Sequence, residues 1–285
     1  MFKNIISYYT DKFSNRIFVI KISGKIIADP TALTQICEDI KEMHERKINI
    51  IIIHGGGVQA DEMSHKLGLE IKKHEGRRIT DIQQIQVAQM MYGGLVNLSV
   101  MAALKKLGLQ SARAGVDGNV FEVIKRPMKS IDYGHVGDIT GVNTGFIQNL
   151  ITQKIIPVIP SLAMSDKGEI LNVNADTLAL EIATNIKAEK LVFFSDVDGV
   201  KNNEKLISVL TPDISKKLIQ QEVITGGMKI KVQNCLQAIE QGIHRIHILN
   251  GFKSHTLHEE IFSKEGIGTM IVSEKEAYIY NQELT

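Results

Sequence analysis

The residues best suited to chemistry in this 285-residue chain sit where apolar runs give way to glycine. Ile50-Ile51-Ile52-Ile53 leads straight into His54-Gly55-Gly56-Gly57 and then a helical stretch. Glycines at such a junction let backbone N–H groups approach an anion, and the N-terminus of the next helix adds partial positive charge. A phosphate cradle is expected, although the triple glycine alone also fits a tight strand-to-helix turn. The spacing is neither a dinucleotide fingerprint nor a Walker A loop, because no Gly-Lys-Ser/Thr follows. Lys21 lies in Val19-Ile20-Lys21-Ile22-Ser23-Gly24-Lys25, near the carboxyl end of a strand, the edge where open α/β sheets bind ligands. A lysine among apolar neighbours is costly unless it is paired or snorkels to water from an edge strand.

Three further junctions carry polar groups. In Asn172-Val173-Asn174-Ala175-Asp176, Asn174 is placed to cap a helix and Asp176 to favour its dipole, which leaves Asn172 unexplained by capping. Leu191 to Phe194 runs into Ser195-Asp196-Val197-Asp198-Gly199-Val200, which on its own is an ordinary Asp-Gly turn. Thr225-Gly226-Gly227-Met228-Lys229-Ile230-Lys231 places lysines in the first turns of a helix. Cations there are unfavourable unless an anion is also present, which marks Lys231.

These junctions require a scaffold of buried strands. Ile17 to Ile22, Ile48 to Ile53, Ile155 to Ile159 and Leu191 to Phe194 are short, apolar and rich in β-branched or aromatic residues. Between the first two, Leu33, Ile36, Cys37, Ile40 and Met43 mark one face of a helix over Thr31 to Arg46. Such strand-helix-strand units build parallel sheets covered on both faces, so the expected fold is α/β, a three-layer sandwich around a central, mostly parallel sheet. Helical patterns also run over Gln83 to Lys106, Thr144 to Gln153, Thr177 to Ile186 and Lys229 to Gln241. Residues 113 to 140, with the turn pair Asp117-Gly118, read as hairpins projecting from the first half. Phe2, Ile5, Ile6, Tyr9 and Phe13 recur at helical spacing, so a short amphipathic helix precedes the first strand, packing either on its own core or on a partner subunit.

Bulk properties narrow the function. With 44% hydrophobic and 23% charged residues, the chain is neither disordered nor collagen-like. A formal charge of +1, from 33 basic and 32 acidic residues, supplies no overall field for nucleic acid or an anionic membrane. Cys37 and Cys235 lie too far apart in sequence for a zinc pattern or a disulfide framework, which fits a reducing cytosol. No signal peptide and no apolar run of roughly 18 residues is visible, so the expected location is cytoplasmic.

In order along the chain, Lys21 to Gly24, HGGG at 54 to 57, GRRIT at 76 to 80, GHVG at 134 to 137, NVNAD at 172 to 176, SDVDGV at 195 to 200 and TGGM running on to Lys231 resemble the amino acid kinase family, and within it the acetylglutamate kinases. The resemblance implies an enzyme that transfers the γ-phosphate of ATP, with Mg2+, to the side-chain carboxylate of N-acetyl-L-glutamate in arginine biosynthesis. It implies a regulatory helix at 1–15, an acceptor lobe at 16–160 and a nucleotide lobe at 161–285, sharing one sheet. Lys21 and Lys231 would neutralise the transferring phosphoryl, Asp176 would hold both lysines, and Gly24, Gly56 and Gly57 would donate N–H groups. Gly56 and Gly57 would also line the acceptor site, where Arg78 and Asn172 grip the acceptor, Arg78 by a fork to its carboxylate. Asp196, Val197, Gly199 and Thr225 fall where the family contacts nucleotide, and no residue is assigned as a metal ligand. A carboxylate acceptor is already ionised at neutral pH, so no general base is needed, and His54 reads as a structural or loop-orienting residue.

Arginine-inhibited members carry an additional N-terminal helix, which Tyr9 and Phe13 match, and an effector segment resembled by His255, Glu260, Ile261, Phe262 and Gly266 to Met270. The implied effector is arginine, acting through Tyr9, His255, Glu260 and Gly266, and the implied assembly is a hexamer of dimers that a nitrogen-signalling protein could bind. The sequence departs from the family at Ser23 (usually glycine), Val58 (proline) and Leu98 (lysine), and at Lys229 and Ile230, where arginine-sensitive members often carry proline. Two rivals stand beside this reading: a kinase for acetylaminoadipate or a carrier-linked acidic amino acid, since one methylene is worth only about 1–3 kcal/mol, and a catalytically weak arginine-sensing module.

Overall fold

The computed structural model describes residues 2–74, 76–263 and 266–284; the side chains of residues 2–6, 283 and 284 lie outside that description, Phe2, Ile5 and Ile6 among them. Eight strands form the central sheet: β1 (Ile17–Ile22), β2 (Asn49–His54), β3 (Ser111–Arg113), β4 (Ile156–Pro160), β5 (Lys190–Ser195), β6 (Val209–Leu210), β7 (Arg245–Asn250) and β8 (Thr269–Val272). Their order is β6-β8-β7-β5-β1-β2-β4-β3. Every neighbouring pair is parallel except β7 with β8. The expected α/β sandwich is therefore present.

Because side chains alternate across a strand, each face of the sheet feeds its own core. Val19, Ile51, Leu191, Phe193 and Ile248 pack with the helices Ala175–Asn185 and Gly226–Glu240. Phe18, Ile20, Ile22, Ile50 and Phe194 pack with the helices Pro30–Glu45 and Thr256–Phe262. The N-terminal helix Phe2–Phe13 sets Tyr9 and Phe13 into this second core, with Phe13 edge-on to Phe18 at 5.3 Å between ring centres. Of the two roles expected for this helix, packing on its own chain is the one seen.

β1 has β2 on one side and β5 on the other, so the winding reverses there, and a ligand crevice opens beyond the carboxyl ends of such strands. Residues 113–140 supply one antiparallel pair, Phe121–Lys125 with Gly137–Val142; the Asp117-Gly118 turn precedes it rather than joining its strands. The connecting loop is stitched to the segments around Thr80 and Asn172. Thr80 N–H donates to Tyr133 O, His135 N–H to Thr80 O, and Asn172 N–H to His135 O.

The pattern over Gln83 to Lys106 corresponds to one helix, Ile82–Lys106, interrupted by a π-helical stretch at Gln89–Val96. By length and composition it is apolar enough to cross a membrane, although polar residues interrupt its apolar run. One face is nonetheless packed in the protein through Ile85, Val87, Met91, Tyr92, Val96, Val100 and Leu104, and its buried Gln84 and Asn97 are hydrogen-bonded there.

Candidate active site

Lys21 shares the face of β1 that lies against the helix Ala175–Asn185, and so meets Asp176 in that helix's first turn, with Nζ 2.7 Å from Oδ1. Lys231, in the second turn of the helix Gly226–Glu240, reaches the other carboxylate oxygen at 3.3 Å. Asn174 fixes where the helix starts by accepting from the N–H groups of Asp176 and Thr177 at 2.9 Å each. Burial alone would raise the Asp176 carboxyl, but the charges and hydrogen bonds of Lys21 and Lys231 hold it down at about 2. One carboxylate thus keeps two cations a few ångströms apart at the switch point of the sheet.

The glycine loops cross beside this triad. A Cβ on Gly24 would lie 3.3 Å from Gly56 Cα and 3.5 Å from Gly57 N, so the loops after β1 and β2 approach closely at their glycines. Gln59 ties them by donating to Gly24 O at 2.7 Å. Gly56 caps the helix Gly57–Lys66, whose first N–H groups have no partner within the helix. A cradle that side chains would fill, next to two lysines, has the shape and sign for a nucleotide's phosphates.

Gly56, Gly57, Arg78 and Asn172 line a single cleft of about 550 Å³, together with Lys25, Arg126 and Ser161. Arg78 is almost buried and already oriented: it donates to Gln84 Oε1 at 2.8 Å, to Gly57 O at 3.3 Å and to the Asp61 carboxylate. Asn172 donates to Thr80 Oγ1 at 3.1 Å.

Of the nucleotide candidates, Asp196 meets that cleft through Lys25, which lines it. Asp196, at the end of β5, pairs with Lys25 at 2.5 Å, and this bond holds its carboxyl below the usual range. Val197 is exposed, and Gly199 takes a φ of +145° against Thr269. Thr225 is the N-cap residue of the helix that carries Lys231, and its hydroxyl makes no capping bond. Asp198, which the sequence did not single out, accepts from Asn250 at 3.0 Å, Lys201 at 3.0 Å and Lys253 at 2.6 Å.

Tyr9, Glu260 and Gly266 line a second cavity, of only about 20 Å³, with Phe13, Lys190, Arg245 and His247. There Lys190 donates to His247 Nε2 at 3.1 Å and His247 Nδ1 to Glu260 Oε1 at 2.6 Å. The other Glu260 oxygen accepts from the N–H groups of Ile267 and Gly268. Burial and the nearby Arg245 push Lys190 down to about 7, and burial with the Lys190 charge pushes His247 down to about 4. His255 stands elsewhere, against Asp39 at 3.0 Å. Lys190, Arg245 and His247 went unnoticed in the sequence; polar residues set into apolar strand runs were the available signal.

Comparison with known proteins agrees with this geometry. The profile of the amino acid kinase family matches residues 16–250. Acetylglutamate kinase from Campylobacter hominis is 38% identical over 265 residues, covering 92% of this chain and 93% of that protein. The protein of the same name from Halothermothrix orenii is 39% identical over 274 residues, covering 94% of each. Among solved structures, N-acetylglutamate synthase from Neisseria gonorrhoeae, complexed with coenzyme A and N-acetylglutamate, superposes with a TM-score of 0.86 at 25% identity. The alignment covers 95% of this chain but only 63% of the synthase. An isopentenyl phosphate kinase structure shares the fold at a TM-score of 0.63 and 18% identity, covering 90% of this chain and all of that one.

Proposed function

The chain belongs to the amino acid kinase family, and from that premise we propose that it transfers the γ-phosphoryl group of ATP to the side-chain carboxylate of N-acetyl-L-glutamate. The observation that carries the reading is the Lys21–Asp176–Lys231 triad beside the glycine loops, whose Gly56 and Gly57 line the same cleft as Arg78 and Asn172. The obstacle in such a reaction is bringing an anion up to a polyanion, because the acceptor needs no deprotonation. Two lysines held by one carboxylate meet that obstacle with charge fixed before the substrates arrive. Gly24, Gly56 and Gly57 offer backbone N–H groups to the phosphoryl oxygens, while Arg78 and Asn172 hold the acceptor. The nucleotide lies along Asp196, Val197, Gly199 and Thr225, so residues 161–285 serve the nucleotide and 16–160 the acceptor, except that Asn172 reaches the acceptor from the second segment. Mg2+ accompanies ATP on the nucleotide's own phosphates; among the described residues no three His, Cys, Asp or Glu side chains converge.

The test is acyl-phosphate formation trapped with hydroxylamine, run with acetylglutamate and acetylaminoadipate side by side. Preference for acetylglutamate is expected; trapping with neither acceptor would overturn the reaction.

A second reading concerns control. The cavity beneath Tyr9 and Phe13 offers Glu260 as a carboxylate partner for a guanidinium, which supports arginine as a feedback inhibitor acting there. The same helix leaves Tyr8 exposed, which suits a hexamer assembled through it. Adding arginine to the trapping assay, with light scattering in parallel, tests both.

A further inference from the structure

We propose that His54 and Asn97 are positioning residues for phosphoryl transfer, locking the Gly55 carbonyl into the interior and thereby aiming the Gly56 N–H into the cleft. The inference rests on the phosphoryl-transfer reading above and adds two residues that touch neither substrate.

His54 ends β2 fully buried, with Nδ1 2.9 Å from Gly55 O and Nε2 3.0 Å from Asn97 Nδ2. A carbonyl only accepts, so Nδ1 must carry the proton. The Nε2 of a neutral ring then accepts, and Asn97 must turn its NH2 group toward it. The second hydrogen of that NH2 group goes to Val158 O at 3.3 Å. Two backbone carbonyls therefore fix both the tautomer of His54 and the orientation of Asn97. The arrangement leaves Asn97 Oδ1 buried without a hydrogen bond. Buried polar atoms left unpaired are rare and call for an explanation; here the amide serves its two acceptors at the expense of its own oxygen.

The consequence reaches the cradle through one peptide unit. In a trans peptide the C=O and the following N–H point in opposite directions. Drawing Gly55 O toward the imidazole turns Gly56 N–H away from it, and Gly56 lines the cleft. Tyr92 closes the other side, since a Cβ on Gly56 would stand 2.5 Å from its Cδ1. Tyr92 belongs to the π-helical stretch, and Asn97 follows it directly. Interruptions of this kind occur often at functional sites. Burial and the charge of Lys21 push the His54 ring down to about 4, so it stays neutral at working pH. A protonated ring would face the Asn97 donor with a second donor.

Nitrogen NMR on the histidine-labelled, unaltered chain reads the tautomer without turnover. His54 is expected as the neutral Nδ1–H tautomer at neutral pH; an Nε2–H ring beside intact turnover overturns the positioning alone. In the trapping assay, Asn97→Ala should lower kcat roughly 10- to 100-fold, less than the about 100- to 1000-fold lost when such a donor is deleted outright, with the acceptor KM within about twofold. Asn97→Asp gives a readout that a merely structural role would not move. Its carboxylate takes Nε2–H and favours a ring protonated on both nitrogens, so Gly55 loses its donor as pH rises, and kcat should fall along an alkaline limb absent from the unaltered enzyme. An unchanged kcat in Asn97→Ala, or parallel pH profiles, would refute the role. No turnover by the unaltered chain would overturn the reaction and this role with it.

Discussion

Asp176 is the residue on which the site's electrostatics turn. Its carboxyl titrates near 2 in the folded chain against an ordinary 3.8, so it binds fewer protons folded than unfolded between those values. It therefore adds stability that is fully present above about pH 4 and is lost as pH falls through 2, on the order of 2 kcal/mol. Asp176→Asn should remove that contribution and leave two half-buried lysines without their partner, so its denaturant midpoint at pH 7 falls and the gap to the unaltered chain narrows toward pH 2. A gap that does not change with pH would show that the carboxylate is not held by the lysines. Activity should suffer more than stability. Lys21→Ala and Lys231→Ala each remove a fixed cation from the developing charge, and each should lower kcat by about 100- to 1000-fold while leaving the circular dichroism spectrum intact.

At the scale of elements, the site depends on how loops and helices are held against one another. Gly56→Ala would set a methyl against the Tyr92 ring and force the loop or the π-helical stretch to move, at a cost of about 1–3 kcal/mol. Gly134 has a φ of +69° and no room beside Thr80 O, so Gly134→Ala should loosen the tie between the Arg78 and Asn172 segments. The expected signature is a raised acceptor KM with the ATP KM little changed; an unaltered acceptor KM would mean the tie is dispensable. The four most apolar strands were legible in the sequence to within a residue because they are buried on both faces. β7 was not, since Arg245 and His247 interrupt its apolar residues. Those groups are buried with Glu276 and Glu260 pairing to them, at 2.7 and 2.6 Å, from later segments. The same kind of pairing makes His247, on β7, a neighbour in space of Glu260, which lies on the helix that follows the strand. The crossing of the glycine loops and the His54–Asn97 bond likewise depend on which strands become neighbours, and no local periodicity carries that.

For the whole molecule, the N-terminal helix joins stability to control. Its Tyr9 and Phe13 are buried in the core shared with Phe18 and Ile261, so the helix is part of the folded chain as well as a candidate contact between subunits. The cavity beneath it, about 20 Å³, has room for about one water molecule. Arginine can enter only if the helix and the Glu260 segment separate, and a ligand shifts that equilibrium by no more than its differential affinity for the opened state. Binding there should therefore speed hydrogen exchange in the Phe2–Phe13 helix even as it protects the segment around Ile267 and Gly268. Deleting residues 1–14 removes two buried aromatic side chains, each worth about 1.5–3 kcal/mol, so Tm should fall even where assembly is unaffected. The truncated chain should keep its trapping activity at low temperature and lose most of its response to arginine, because one wall of the cavity is gone. Retention of full arginine inhibition by a folded, truncated chain would move the effector site away from this cavity, whatever the state of assembly.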